Sequence, residues 1–356
     1  MTDTLMPVVS ICIQTYQHSA FIKDCLEGVL SQKTDYPYEI LLGEDDSTDG
    51  TREICVDYAK KYPEKIRLFL HDRKNVIYIN GKPTGRYNFI NNLSQVTGRY
   101  IALCDGDDYW TDRNKLQKQV EFLEKNNDYA ICFHAVELLV DGNLVADDRT
   151  KVPQDPSSII DLARGNYIHT SSCVYRNNLP DILPDFFYTI PAADYALHIL
   201  MAQYGKIKYI PDKMAVYRIH EGARWSSMSM QQQLNGWLDV LQALEFYFIN
   251  NGELAGTIRK QRFRILVDHL KHYKHIGNVI NCKEVALKMV TLEPLLSAEY
   301  IFNLYQQLDE TIEQKDQIIK QKNHNMARVI NHPISGVVIN ILKFLKRDES
   351  FGKLDD

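Results

Sequence analysis

Four stretches of this chain gather acid, imidazole or guanidinium side chains where they could act together. The densest is Asp105-Gly106-Asp107-Asp108-Tyr109-Trp110, directly after the apolar run Tyr100–Cys104. Carboxylates crowded at the end of a buried strand repel one another and require a counter-charge. A hard divalent cation, Mg²⁺ or Mn²⁺, supplies it through oxygen ligands and keeps positions free for substrate phosphates. A single acidic turn would read equally well as a solvated loop, but a second cluster, Glu44-Asp45-Asp46, follows the apolar run Glu39–Gly43. The third stretch, Pro191–Leu197, opens a helical pattern of Leu197, Leu200, Met201 and Tyr204. It sets Asp194 in a first helical turn, where a carboxylate either complements the helix dipole or stands as a base. The fourth, Val216–Ser226, holds Arg218, His220 and Arg224. Its imidazole suits a metal or a diphosphate, and its guanidinium groups suit phosphate oxygens.

Other groups carry less. His269, His272 and His275 recur every third residue, but no fourth ligand points to zinc. Lys115, Gln119 and Phe122 fit a helix after the acidic motif, and that spacing explains them without a function.

The elements that must hold these groups follow from apolar patterning. Val8–Ile13, Glu39–Gly43, Ile66–Leu70, Tyr100–Cys104 and Tyr129–Phe133 are near-continuous apolar runs. They predict strands buried on both faces of a parallel sheet. Between the first two, Phe21, Cys25 and Val29 run beside Ile22, Leu26 and Leu30 at helical spacing. Thr51–Lys61 is a second predicted helix, with Asp49 and Thr51 as caps. Strand–helix alternation predicts an α/β layered fold whose ligands sit at the carboxyl ends of the strands. The turns there read QTYQHS, EDDSTDGT and DGDDYW. Neither GxGxxG after the first strand nor GxxxxGK[ST] occurs, which disfavours a Rossmann dehydrogenase and a P-loop NTPase.

Composition narrows the function classes. The 356 residues are 45% hydrophobic and 24% charged, a globular mix. Lys+Arg 41 against Asp+Glu 46 gives a net charge of −5, which argues against a nucleic-acid partner. No apolar run reaches the ~18 residues of a membrane span, and the N-terminus lacks the basic region of a secretory signal. Seven cysteines without CxxC spacing, with Cys12, Cys104 and Cys132 inside apolar runs, predict reduced, buried thiols in a cytoplasmic protein.

VVSICIQTYQHSAFIKDCLEGVLSQ, EILLGEDDSTDGTREI and GRYIALCDGDDYWTDRNKLQKQVEFLE, in that order, resemble family 2 glycosyltransferases of the GT-A fold, most of all the bacterial group that builds surface polysaccharides. The likeness covers roughly residues 7 to 226. It implies a mixed, mainly parallel sheet flanked by helices, and an inverting transferase that takes a nucleotide-diphosphate sugar, expected to be a UDP-sugar. The acceptor it implies is a hydroxyl of a glycan or a lipid-linked glycan. By the same resemblance Gln14 and Tyr16 contact the nucleotide, although many members carry Pro where Gln14 stands. Asp45 meets a uracil N–H, and Asp105 lies near the ribose or the metal's waters. Asp107 is a metal ligand, Asp108 stands behind it, and His220 is a second ligand. Asp194 is the base. Tyr167–Ser172 faces the acceptor by family position alone. A sugar-nucleotide pyrophosphorylase and an inactive nucleotide-binding module of this fold remain the alternatives. The former should carry a Gly-rich basic loop where QTYQHS stands.

The expected organisation is a GT-A domain over 1–226, with a nucleotide half to about 110 and an acceptor half over 111–226. A helical appendage over 227–323 follows, where Leu234, Leu238, Leu241 and Leu244 keep helical spacing, and then a basic amphipathic tail over 324–356. Glu310–Asn325 reads as an exposed helix or short coiled coil. In Pro333–Arg347 one apolar face (Val337, Val338, Ile341, Leu342, Leu345) meets Lys343, Lys346 and Arg347. That pattern suits a peripheral contact on the inner membrane face, a packing surface or a homodimer contact.

Overall fold

The computed structural model describes residues 6–147, 150–220, 222, 228–294, 297, 300, 317, 320 and 321. Two compact units divide the chain, Met1–Lys271 and His272–Asp356. The first is built on a nine-stranded mixed sheet. Its opening half contains β1 (Val9–Thr15), α1 (Ile22–Leu30), β2 (Tyr38–Glu44), α2 (Thr51–Lys61) and β3 (Ile66–Leu70). A small hairpin of β4 (Ile77–Ile79) and β5 (Lys82–Thr84), then α3 (Arg86–Ser94), precede β6 (Tyr100–Leu103). Strands β1, β2, β3 and β6 are parallel, as their apolar runs predict. β3 departs from the expectation in one respect. It is the outer strand, paired with β2, and of its five residues Ile66 alone is buried while Leu70 is 50% exposed. An edge strand covers one flank only, so an apolar run does not by itself guarantee burial.

β1 lies between β2 and β6, so the winding of the sheet reverses beside it. The crevice outside the carboxyl ends at such a switch point is where open α/β sheets take ligands. Register completes the arrangement. Thr15 pairs with Glu44, and Cys12 with Leu103. The Asp45 N–H then donates to the Thr15 carbonyl (3.1 Å) and the Gly106 N–H to the Gln14 carbonyl (3.0 Å). The three polar turns are therefore neighbours in space.

The following half contains β7 (Tyr109–Trp110), α4 (Lys115–Lys125), β8 (Tyr129–Val140), β9 (Asn143–Ala146), α5 (Ile159–Ala163), β10 (Val174–Arg176), α6 (Ala193–Ala202) and β11 (Lys206–Ile219). β10 runs antiparallel between β6 and β8, β11 runs parallel to β8, and β7 runs antiparallel to β11. The last two residues of the acidic motif thus pair with Ala215 and Val216, which lays the Arg218–His220 stretch beside it. The strand expected over Tyr129–Phe133 continues to Val140 and turns into a hairpin with β9.

Helices cover both faces. α1 and α4 bury Cys25, Leu26, Val29, Leu116, Val120 and Leu123 on one. On the other, α6 is buried along nearly its whole length, joined by Val240 and Leu244 of α7 (Met230–Tyr247) and Leu254 and Ile258 of α8 (Gly252–His275). Ser229 and Gln232 form a capping box that starts α7. In the second unit α9 (Val279–Leu292) is capped by Asn278 and buries Val285 and Met289. All seven cysteines are free and six are buried. Among the described residues no helix is long and apolar enough to cross a membrane. Pro333–Arg347 and most of Glu310–Asn325 lie outside the described residues.

Candidate active site

The turn after β2 forms one side of the site. Glu44 is fully buried, its carboxylate accepting from the Ser47 N–H (2.7 Å) and the Asp46 N–H (3.3 Å) and from the Arg52 guanidinium. Its role is to shape the turn. Asp45 then points into the crevice, 2% exposed. Its Oδ2 accepts from Arg73 (3.2 Å), while its Oδ1 is buried with no hydrogen-bond partner. Burial pushes the Asp45 carboxyl above its ordinary value, against the pull of Arg73. The Arg73 guanidinium also lies 4.3 Å from the centre of the Tyr16 ring. Tyr16, Arg73 and Asp45 form one continuous wall. Neither Asp49 nor Thr51 is the cap expected for α2: Gly50 takes that position at positive φ and Thr51 is the first helical residue, while Asp49 accepts from the Thr51 N–H (3.1 Å) and hydroxyl (2.6 Å) and from the Ser19 N–H (2.9 Å). It ties the turn after β1 to the turn after β2.

The acidic motif forms the floor. Gln14 donates from its amide to Asp105 Oδ1. Burial, and then the charges of Asp107 and Asp194, push the Asp105 carboxyl up to about 8. Asp107 Oδ2 lies 3.1 Å from His220 Nε2 and 3.9 Å from His18 Nε2. Burial works against the Asp107 charge, but the His220 hydrogen bond and the His18 ring outweigh it and hold the carboxyl below its usual range. Asp108 is buried with one oxygen on the Arg218 N–H (2.9 Å), and burial, then Asp107 and Asp105, drive its carboxyl well up. Gly106 is required between them, since a Cβ there would stand 2.6 Å from Thr15 Oγ1 and 3.0 Å from His18 Nδ1.

Arg218 serves differently from the expectation that it meets phosphate. Its guanidinium donates to the Asp107 carbonyl (2.8 Å) and to Asp24, and it lies over the Phe21 and Tyr109 rings at 4.9 and 4.6 Å. It clamps the acidic turn onto α1. Arg224 lies outside the described residues.

Asp194 stands in the first turn of α6, half-buried, and caps nothing with its side chain. The Thr170 hydroxyl donates to it at 3.4 Å, and its charge reaches Asp105. The residues anticipated as Gln14, Asp105, Asp107, His220 and Asp194 are thus brought to one place, and Tyr16 and Asp45 to the adjoining wall. His18, Arg73 and Thr170 join them. His18 sits in the quoted QTYQHS turn, whereas no local signal marks Arg73. Among the described residues no group of three or more His, Cys, Asp or Glu side chains is arranged to hold a metal by itself.

Residues 10–176 match the profile of Glycosyl transferase family 2. This segment, just under half of the chain, is similar to family 2 glycosyltransferases. The match runs from β1 to the end of β10 and so includes Asp45, Asp105 and Asp107, while Asp194 and His220 follow it. The Mycobacterium tuberculosis protein Rv1520 is 36% identical over 226 residues, 62% of this chain and 61% of that protein. The putative teichuronic acid biosynthesis glycosyltransferase TuaG of Bacillus subtilis is 29% identical over 148 residues, 42% of this chain and 54% of that protein. The chain therefore spans about three-fifths or less of these curated relatives. A crystal structure of S. aureus TarS 1–349 in complex with UDP-GlcNAc matches with a TM-score of 0.51 at 17% identity, covering 78% of this chain and 90% of that one. The likeness is one of fold, and it agrees with the GT-A architecture expected from the motifs.

Proposed function

We propose that the chain is an inverting, divalent-cation-dependent glycosyltransferase that moves a sugar from a UDP-sugar to a hydroxyl of a glycan or lipid-linked acceptor in surface-polysaccharide synthesis. The observation that carries this reading is the gathering of carboxylates and an imidazole at the strand ends: Gln14 holds Asp105, Asp107 stands 3.1 Å from His220, and Thr170 holds Asp194 in the first turn of α6. Such a site favours a cation.

The donor set fits one. Asp107 Oδ2 and His220 Nε2 lie 3.1 Å apart, a carboxylate that suits Mg²⁺ or Mn²⁺ and an imidazole that suits the transition ion Mn²⁺ better, with the donor diphosphate and water to complete the shell. When bound, the cation would neutralise charge on the departing diphosphate. The chain's own residues do the rest. Asp45 Oδ1, buried and without a partner, is free to accept from a uracil ring N–H, and Arg73 keeps the carboxylate turned that way. Tyr16 walls the nucleotide, and Gln14 and Asp105 together line the sugar side. Asp194 takes the proton of the acceptor hydroxyl as its oxygen attacks the anomeric carbon opposite the leaving diphosphate, which inverts that centre. The name of TuaG supports the polysaccharide setting.

Calorimetric titration of UDP with and without Mn²⁺, coupled to UDP release from UDP-glucose, UDP-galactose and UDP-GlcNAc, tests this. Metal-dependent binding with release supports transfer. Binding without release from any donor points to an inactive module. Pyrophosphate-dependent formation of UTP points to a pyrophosphorylase.

A further inference from the structure

Lys115 opens α4 and is fully buried. A cation out of water costs several kcal/mol unless it is paired, and an apolar side chain would usually fill such a space more cheaply. Around Lys115 lie the thiols of Cys173, Cys104 and Cys132, and burial lowers its ammonium to about 8. Its contacts explain what the charge does. Nζ donates to Gln119 Oε1 (2.8 Å) and stands 4.0 Å over the Trp110 ring.

An ammonium is a donor only, so it fixes which end of the Gln119 amide faces it. The amide nitrogen must then point away, and it donates to the Cys132 carbonyl (2.7 Å) and the Ser172 carbonyl (2.9 Å). Trp110, held by the same ammonium, donates from its indole N–H to the Ser171 carbonyl (2.9 Å). The Cys173 thiol reaches the Thr170 carbonyl at 3.1 Å. Three successive carbonyls of the 3₁₀ turn Thr170–Ser172 are each fixed by a side chain, two of them through Lys115. From that turn the Thr170 hydroxyl donates to Asp194 (3.4 Å).

We propose that Lys115 is a positioning residue of the transfer reaction: through Gln119 and Trp110 it locks the Thr170–Ser172 turn, and the turn orients Asp194 toward the acceptor hydroxyl. This rests on the reading of Asp194 as base. The acidic motif and the base are then linked by one buried lysine, since Trp110 closes that motif.

The test uses the full chain and two variants. Lys115→Met keeps length and removes charge. Gln119→Glu keeps volume and a partner for the ammonium but removes the amide donors, so it retains a filled core should Lys115→Met fold poorly. Two readouts are taken: amide hydrogen exchange, and UDP release from the three UDP-sugars beside UDP affinity in Mn²⁺. In both variants exchange in residues 169–173 should quicken roughly tenfold or more while β1 and β2 stay unchanged. UDP release should fall roughly tenfold to a hundredfold, with UDP affinity within about twofold of wild type. Unchanged exchange in that turn overturns the proposal. So does a loosened turn with undiminished release. If the wild type releases UDP from no donor, the transferase reading fails there, and the exchange arm still decides whether Lys115 fixes the turn.

Discussion

Asp45 and Asp194 are both acidic residues at element ends, yet their surroundings assign them different work. Asp45 is buried with one oxygen on Arg73 and the other unpartnered, a geometry that suits the proposed contact with a ring N–H better than moving a proton in and out of solvent. Asp45→Asn presents an amide where the acceptor should be. UDP affinity is expected to fall roughly tenfold or more, from the loss of one hydrogen bond and the repulsion of two donors. Equal UDP affinity in the variant, measured by titration calorimetry, would remove Asp45 from the uracil site. Asp194 is half-exposed at a helix start with Thr170 as its partner. Asp194→Asn keeps the shape and removes basicity, so turnover should drop by about two to four orders of magnitude while UDP binding persists. Near-normal turnover would reduce Asp194 to a helix-dipole residue. These carboxylates were legible in the sequence because residue type and position after an apolar run were enough. Arg73 was not, because its approach to Asp45 and Tyr16 depends on where the chain goes after the edge strand β3.

At the level of elements, the site depends on strand ends meeting closely. Gly106 marks one such close approach, since a Cβ there would stand 2.6 Å from Thr15 Oγ1 and 2.7 Å from Thr15 Cβ. Gly106→Ala should destabilise the fold by about 1–3 kcal/mol through overpacking and weaken Mn²⁺-dependent UDP binding. Adding Thr15→Gly to the same chain, which removes both Oγ1 and Cβ, should recover part of the loss. Additive losses in that double-mutant cycle, read from denaturant unfolding, would contradict the contact. Helix α6, which carries Asp194, has its own anchor. The Tyr175 hydroxyl and His198 Nδ1 lie 2.6 Å apart in the core. Burial, opposed by the Asp194 charge, lowers the His198 imidazole from 6.5 to about 4. A histidine depressed in this way contributes stability above about pH 6.5 that is lost as pH falls toward 4, up to the order of 3 kcal/mol. The melting temperature should fall across that window, and His198→Phe should shrink the fall. An identical pH dependence in the variant would show that His198 does not carry it. Helices α1, α2, α4, α6 and α7 were readable from side-chain spacing and β1, β2, β3 and β6 from apolar runs, whereas α3 and α5 were not anticipated. Nor was the pairing of β7 with β11, because two residues carry no period and their partner lies over a hundred residues away.

On the scale of the whole molecule, a switch point in the sheet collects three turns, and later elements bring the Asp194 carboxylate and the His220 imidazole to the same crevice. The order of motifs conveyed this architecture before any coordinates, and the resemblance supplied the roles. What sequence could not convey was which polar groups are consumed internally: Arg218 clamps the acidic turn to Asp24, Glu44 folds its own loop, and Lys115 holds the turn beside Asp194. Each partnership spans elements distant along the chain or turns on burial. The central claim is that Asp107, with His220, holds a divalent cation that binds the donor diphosphate. Calorimetric titration of UDP into wild type and Asp107→Ala, each in Mn²⁺ and in EDTA, tests it most directly. Wild type is expected to bind UDP in Mn²⁺ and to lose most of that affinity in EDTA, while the variant keeps its fold by circular dichroism and responds to neither. Equal UDP affinity in Mn²⁺ and EDTA for the wild type, or an Mn²⁺ response that survives in Asp107→Ala, would contradict it.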